Sequence, residues 1–165
     1  MVASRVEAPS ELMFLPYLYG GPDGAPGGFV GMQARHERAD LVHAVYEGIV
    51  FAHKRHVDRL VGAGDTPPEC VRLAGGGARS EVWAQMFADT LGVPVEIAGG
   101  SEFGAFGASL CAAVGIGHHA DCARAVEAMV KVAKRFEPNA SRTDRQAERF
   151  ERFERIGAAL ASASA

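Results

Sequence analysis

The sequence predicts an α/β fold in which a parallel or mixed sheet carries helices on both faces. Two strand–helix units follow one another: an apolar run over 70–74 leads into a helical pattern over 80–91, and a run over 94–98 leads into another over 104–114. A crossover helix returns the chain to the same end of the sheet, so such alternation favours parallel pairing. A chain of 165 residues suits a single domain with a real core.

The segments before these units are predicted from their glycines and prolines, which interrupt regular structure, and from the spacing of their apolar residues. Residues 1–11 are expected to be disordered or extended, and 12–18 to be extended around Pro16. Five glycines and two prolines make 20–28 a loop before a short strand over 29–32. A helix over 38–60, ended by Gly62, Gly64 and Pro67-Pro68, is predicted from apolar residues spaced by three and four. This predicted stripe consists of Val42, Val45, Tyr46, Ile49, His53, Val57 and Leu60.

After the strand–helix units the sequence predicts mainly helix. A helix is expected over 122–134, and an amphipathic helix with Phe150, Phe153, Ile156 and Leu160 inward over 142–160. The predicted organisation is therefore a main domain portion over 12–135, a C-terminal amphipathic helix within 136–160 and a tail over 161–165.

Composition excludes several classes of function. The formal net charge is −3, without a basic footprint, so no nucleic-acid partner is expected. No apolar stretch reaches the roughly 18 residues that span a membrane, and the N-terminus lacks the apolar core of a signal peptide. Three cysteines without a CxxC pair are typical of reduced thiols, so a cytoplasmic protein is expected.

The candidate binding site is the turn after the first apolar run, formed by Gly75, Gly76, Gly77, Ala78, Arg79 and Ser80. Glycine permits positive φ and close approach of a ligand to the backbone. The following helix presents unpaired N–H groups and the positive end of its dipole, which favour an anion. Ser80 is also a good N-cap residue, and Arg79 either reaches the ligand or points to solvent. The pattern predicts a nucleotide site, and a tight turn without a ligand is the alternative.

Two other nucleotide-binding motifs fit this turn poorly. Gly75-x-Gly77-x-x-Ser80 approximates the Rossmann GxGxxG, with Glu96 about 20 residues on as the ribose acid, which would make the ligand NAD. However, serine replaces the third glycine, Glu96 lies inside a predicted strand, and a long helix precedes the motif. A P-loop is excluded because the chain has no GK[ST].

The remaining candidates favour structural roles. In the second glycine cluster, Gly99 to Ala108, Gly104 and Gly107 favour close helix packing, and Glu102 is expected to cap that helix rather than contact a ligand. His43, His53 and His56 share the long helix without a carboxylate or cysteine at ligand spacing, so no metal site is expected. No catalytic base is evident anywhere in the sequence.

Four blocks in the right order, between about 14 and 116, resemble the FGGY carbohydrate kinases. The glycine turn lies in a segment that resembles the family's adenosine motif, from Leu73-Ala74-Gly75-Gly76-Gly77-Ala78-Arg79-Ser80 to Pro94-Val95. The other blocks are Phe14-Leu15-Pro16-Tyr17-Leu18-x-Gly20, the stretch from Gly31-Met32 through Tyr46-Glu47-Gly48 to Phe51, and Glu102-x-x-Gly104-Ala105-x-Gly107-Ala108. Within the family, the blocks look most like those of pentulose kinases of the L-xylulose type. The chain departs from the family where many members carry Gly-Glu-Arg, because Gly21-Pro22 follows Gly20 here.

The resemblance implies part of a ribonuclease H-like, actin-like ATPase domain, whose glycines would lie against the adenosine and α-phosphate of ATP. The implied reaction transfers the γ-phosphate, with Mg²⁺, to a hydroxyl of a ketopentose. The domain that holds the sugar site and the catalytic aspartate in the family has no match here. The chain is therefore expected to be a fragment or split gene product that is inactive alone and contacts a complementary N-terminal domain or another copy of itself. A non-catalytic actin-like regulatory module is the alternative.

Overall fold

The computed structural model describes residues 2–7, 9–64, 66–100 and 102–164. After a 3-10 turn at Val2–Arg5, a hairpin, a long helix, a strand–helix–strand unit and three further helices interrupted by one strand follow along the chain. The strands are β1 (Met13–Leu15), β2 (Gly28–Val30), β3 (Val71–Leu73), β4 (Val95–Ala98) and β5 (Val132–Phe136), and the helices are α1 (Arg38–Ala63), α2 (Glu81–Leu91), α3 (Phe103–Gly115), α4 (Cys122–Met129) and α5 (Ala140–Ser164).

The strands form two separate sheets. β1 and β2 make an antiparallel pair, with Met13 opposite Val30. The second sheet has the order β3-β4-β5, in which β3 and β4 are parallel and β5 is antiparallel to β4. This mixed sheet, with α2 packed against β4 and β5, confirms the predicted α/β class.

Two apolar clusters hold these elements together. The first joins β1 to α1 and α5 around the fully buried Leu15, Phe51 and Phe153. The second lies between α1, α2 and the three-stranded sheet, around Val50, Phe87 and Val95. The long helices α1 and α5 therefore connect the hairpin to the sheet that carries the candidate site.

Helix α1 buries a different face from the one its apolar spacing predicts. Every residue of the predicted stripe is half-buried or exposed, although Tyr46 and His53 contact the rings of Trp83 and Phe87 on α2. The most buried face instead carries Asp40, His43, Ala44, Glu47, Gly48, Val50 and Phe51. The carboxylates of Asp40 and Glu47 are buried because Arg5 and Arg149 pair with them. Gly62 also lies inside α1, and Gly64 alone occupies the C-cap.

The predictions for both ends of the chain need correction. Residues 2–5 form a 3-10 turn that packs on α1, where Arg5 pairs with Asp40 at 3.0 Å. The predicted helix over 122–134 ends at Met129, because Val130 is extended and the chain then pairs with β4 as β5. Helix α5 continues to Ser164 and buries Ala161, so residues 161–164 are not a tail.

Candidate nucleotide-binding site

The glycine turn lies at the carboxyl end of β3 with its backbone open. Gly75 has φ +79° and ψ −156°, a conformation that favours glycine. The next residues, Gly76–Arg79, form one 3-10 turn, held by the Ala78 N–H to the Gly75 carbonyl at 3.2 Å. A Cβ added at Gly75 or Gly76 would meet no atom within 4 Å, so the structure leaves space beside the main chain at both positions.

The far side of the turn is fixed by α2. Ser80 occupies the N-cap of this helix, and its hydroxyl accepts a hydrogen bond from the Trp83 N–H at 3.3 Å. The Trp83 indole N–H donates to the Tyr46 carbonyl on α1, and its ring lies 3.5 Å from a Cβ position on Gly77. The predicted N-cap role of Ser80 is thus confirmed, while Arg79 is exposed beside it. All six predicted residues lie in one continuous turn.

The second glycine cluster lies at the same edge of the sheet. β3 and β4 are parallel neighbours, with Leu73 opposite Ile97, so the turns that follow them leave the sheet side by side. A cavity of about 550 Å³ opens beyond β4, lined in part by Gly99, Gly100, Phe103 and Phe106. Carboxyl ends of parallel strands are where open α/β sheets bind ligands. Sequence reasoning missed this cavity because it assigned the cluster to packing.

The packing role expected for this cluster is not found in the described chain. A Cβ at Gly104 or Gly107 would meet no atom within 4 Å outside the helix's own backbone. Glu102 stands at the N-cap of α3, but its side chain makes no capping hydrogen bond and lines the cavity instead. The glycines of α3 are therefore open positions, and Glu102 faces the cavity with its carboxylate available.

Glu96, the ribose acid required by the Rossmann alternative, is engaged elsewhere. It lies inside β4 between Arg135 on β5 and Arg72 on β3, at 2.6 and 3.3 Å. Hydrogen bonds from Arg135 and Arg72 lower the pKa of the Glu96 carboxyl, which stays ionised as part of a ladder across three strands. A carboxylate committed to two guanidinium groups in the middle of a strand does not serve as a ribose acceptor.

A buried polar network lies behind the site, between α1 and α5. The Arg149 guanidinium donates two hydrogen bonds of 2.6 Å to the Glu47 carboxylate, which is 1% exposed. Burial lowers the pKa of the nearby His43, a shift that the charge of Glu47 opposes. Among the described residues, no group of three or more His, Cys, Asp or Glu side chains could hold a metal ion. None of the described helices combines the length and apolar character needed to cross a membrane.

The α/β fold and the glycine turn at the end of a parallel strand are typical of nucleotide-binding proteins. Comparison with known proteins identifies the family. Residues 5–116 match the family model "FGGY family of carbohydrate kinases, C-terminal domain". This match covers more than half of the chain, so the chain belongs to the FGGY carbohydrate kinase family. The predicted resemblance is confirmed, and the family assignment overrules the Rossmann alternative.

Curated relatives and solved structures agree with this assignment. The L-xylulose/3-keto-L-gulonate kinase of Escherichia coli is 38% identical over 161 residues, which cover 96% of this chain and 32% of the relative. The probable L-xylulose kinase of Pasteurella multocida is 35% identical over the same length. The ligand-bound xylulose kinase of Lactobacillus acidophilus superposes with a TM-score of 0.83 at 25% identity, over 97% of this chain and 34% of that structure. The chain thus has the actin-like ATPase fold of these kinases and spans about a third of their length.

Proposed function

We propose that this chain is the ATP-binding part of a sugar kinase that phosphorylates a hydroxyl of a ketopentose such as xylulose. The observation that carries the proposal is the open backbone of Gly75 and Gly76, which lies at the same sheet edge as the Gly99-Gly100 cavity, at the carboxyl ends of two parallel strands. Gly75 to Ser80 would hold the adenosine and α-phosphate. Relatives named as L-xylulose kinases support the choice of sugar.

Magnesium would arrive with the nucleotide. The described residues offer no carboxylate cage for a metal, and Mg²⁺ in nucleotide sites is commonly held by phosphate oxygens, water and one or two carboxylates. The ion would supply charge stabilisation around the transferred phosphoryl group. This chain's own part is to bind and orient the nucleotide, because its turn offers backbone N–H groups and the α2 N-terminus.

Calorimetric titration with Mg-ADP, Mg-ATP and NAD tests the nucleotide site. We expect adenine nucleotide binding that Gly76→Val abolishes, since the valine side chain would fill the space beside the turn. Gly62→Val, another glycine with open surroundings but on α1, is the matched control and should bind normally. Normal nucleotide binding by Gly76→Val would refute the assignment of the site, and binding of NAD alone would refute the choice of ligand.

The isolated chain is proposed to lack kinase activity. It spans about a third of its relatives' length and matches the C-terminal domain of the family, whereas the family resemblance assigns the sugar site and the catalytic aspartate to the other domain. Purified chain should therefore produce no sugar-dependent ADP in a coupled assay. Sugar-dependent turnover by the chain alone would refute this statement.

A complementary N-terminal domain is the proposed partner, and α3 is its proposed docking helix. This helix (FGAFGASLCAAVG) has no charged residue, yet each of its residues is half-buried or exposed. Helices that are apolar all round are normally buried. The adjoining Ile116 is 83% exposed and extends the same apolar surface. The chain spans about a third of the length of its relatives, and the rest of such a kinase is a partner of the required kind.

Mixing the chain with the N-terminal two-thirds of the Escherichia coli relative tests the docking. We expect a complex on analytical ultracentrifugation that Ala108→Glu on α3 disrupts. Leu60→Glu on α1 should leave the complex intact, because Leu60 is exposed on a helix that does not pack substantially against α3. Self-association of the chain through α3 would support the homo-oligomer instead. A monomer that never binds the added domain would favour the regulatory module.

A further inference from the structure

A second polar cavity lies away from the glycine turn, between the loop after β1, α1 and α5. Two adjoining spaces of about 150 and 500 Å³ share Tyr17, Pro22, Asp23, Arg55 and Arg59 in their linings. No lining residue belongs to β3, α2, β4 or α3. The cavity is therefore separate from the proposed nucleotide site and needs its own explanation.

The Tyr17 hydroxyl is buried in this cavity without an acceptor for its hydrogen. Tyr17 is 8% exposed, its hydroxyl lies beside the Arg55 guanidinium, and no acceptor for the hydroxyl hydrogen is found among the described residues. The ring is held by Phe153 at 6.0 Å and by the loop at Gly21, where a Cβ would stand 2.5 Å from it. A buried O–H normally donates to an acceptor, so the hydrogen of this hydroxyl is suited to an acceptor on a ligand.

Arginine and carboxylate side chains line the cavity together. The Arg55 guanidinium lies over the Tyr17 ring at 5.4 Å and uses Nε and one terminal nitrogen to bind Glu154, at 2.8 and 2.6 Å. Both of these nitrogens lie on the same edge of the guanidinium group. Arg59, one turn further along α1, and His56 line the larger space. Asp23 supplies a carboxylate to the same lining.

We propose that this cavity binds a small hydroxylated oxyanion of the sugar phosphate class. Guanidinium groups suit the planar, multiple hydrogen bonds that phosphate oxygens accept. The Tyr17 hydroxyl and the Asp23 carboxylate add a donor and acceptors for the hydroxyl groups of the same ligand. A space of about 500 Å³ is within the range of small-molecule sites.

An NMR titration of the ¹⁵N-labelled chain with ribose 5-phosphate tests the proposal. We expect saturable shifts at the amides of Gly20, Gly21 and Asp23, and none with ribose, which lacks the phosphate. Arg59→Gln should weaken binding about tenfold or more, because one charge-assisted contact is lost. Arg155→Gln removes the same charge from an exposed site on α5 outside the cavity and should leave the affinity unchanged.

A second variant keeps the test independent of Arg59. Tyr17→Phe preserves the buried ring and removes only the hydroxyl, so it should weaken ribose 5-phosphate binding severalfold without loss of fold. Equal affinities in Arg59→Gln and the parent chain would overturn the proposal. The absence of saturable shifts, or shifts confined to Gly75 and Gly100 at the nucleotide site, would also overturn it.

Discussion

Gly48 of α1 should tolerate no side chain, because the helix crosses β1 there at backbone contact. A Cβ added at Gly48 would stand 2.1 Å from the Phe14 carbonyl oxygen and 3.0 Å from its carbonyl carbon. Relief requires the strand and the helix to separate by about 1 Å, since the atom in the way belongs to the main chain. Overpacking of this kind costs about 1–3 kcal/mol. We place the cost of Gly48→Ala at the upper end of this range, because the backbone itself must move.

Against that cost, alanine improves helix propensity by up to about 1 kcal/mol. The net expectation for Gly48→Ala is a loss of about 2 kcal/mol, or about 4–8 °C in Tm for a chain of this size. Gly62→Ala, near the end of the same helix, meets no atom within 4 Å and should be neutral or stabilising by about 0.5 kcal/mol. Urea unfolding followed by circular dichroism measures both. A Gly48→Ala chain as stable as Gly62→Ala would refute the close crossing.

Three further outcomes are expected from the described contacts. Arg149→Met should lower the free energy of unfolding by about 3–5 kcal/mol in urea unfolding, because it leaves the Glu47 carboxylate buried without its partner. Ser80→Ala should lower it by about 1 kcal/mol in the same assay, through loss of the hydrogen bond to the Trp83 N–H. Because burial lowers the pKa of His43, the folded state binds fewer protons than the unfolded state, and the free energy of unfolding should fall as the pH drops below about 6.5. His43→Gln should flatten this pH dependence in unfolding measured between pH 7.5 and 5.5.

Control variants and defined results would contradict the expectations for Arg149 and His43. The exposed Arg124–Glu127 pair on α4 is the surface control for Arg149, and Arg124→Met should cost less than 1 kcal/mol. If Arg124→Met and Arg149→Met lower the free energy of unfolding by the same amount, burial does not determine how much the Glu47–Arg149 pair contributes to stability. A His43→Gln chain with the parent's pH dependence would assign that dependence to other groups.

The elements that carry the candidate site could be predicted because their signals are local. A short apolar run, glycines that permit positive φ and Ser80 as N-cap predicted the order of strand, turn and helix, and β3 and α2 lie within a residue or two of the predicted bounds. Each of these signals acts through neighbouring residues, such as the Ser80 hydroxyl and the Trp83 N–H. The glycine turn is therefore visible in the sequence without knowledge of its surroundings.

The elements that were mispredicted depend on distant partners. β5 (VAKRF) is paired with β4 across more than thirty residues and has no strict alternation of apolar and polar residues, so its strand conformation comes from that pairing. The most buried face of α1 contains Asp40 and Glu47, whose burial is possible only because Arg5 and Arg149 approach from the two ends of the chain. A prediction from apolar spacing assigns such carboxylates to the surface, and it therefore identifies the wrong face of α1 as the buried one.

The two glycine clusters show how topology adds to local signals. Taken separately, Gly75 to Gly77 indicate a nucleotide turn, whereas Gly99 and Gly100 with the helix after them are equally consistent with packing. Once β3 and β4 are parallel neighbours, both turns must leave the same edge of the sheet. The second cluster, with its 550 Å³ cavity, then shares this edge with the first cluster and falls within the proposed nucleotide region. Bulky substitutions at Gly100 should accordingly weaken adenine nucleotide binding, as Gly76→Val does, although the two positions are far apart in sequence.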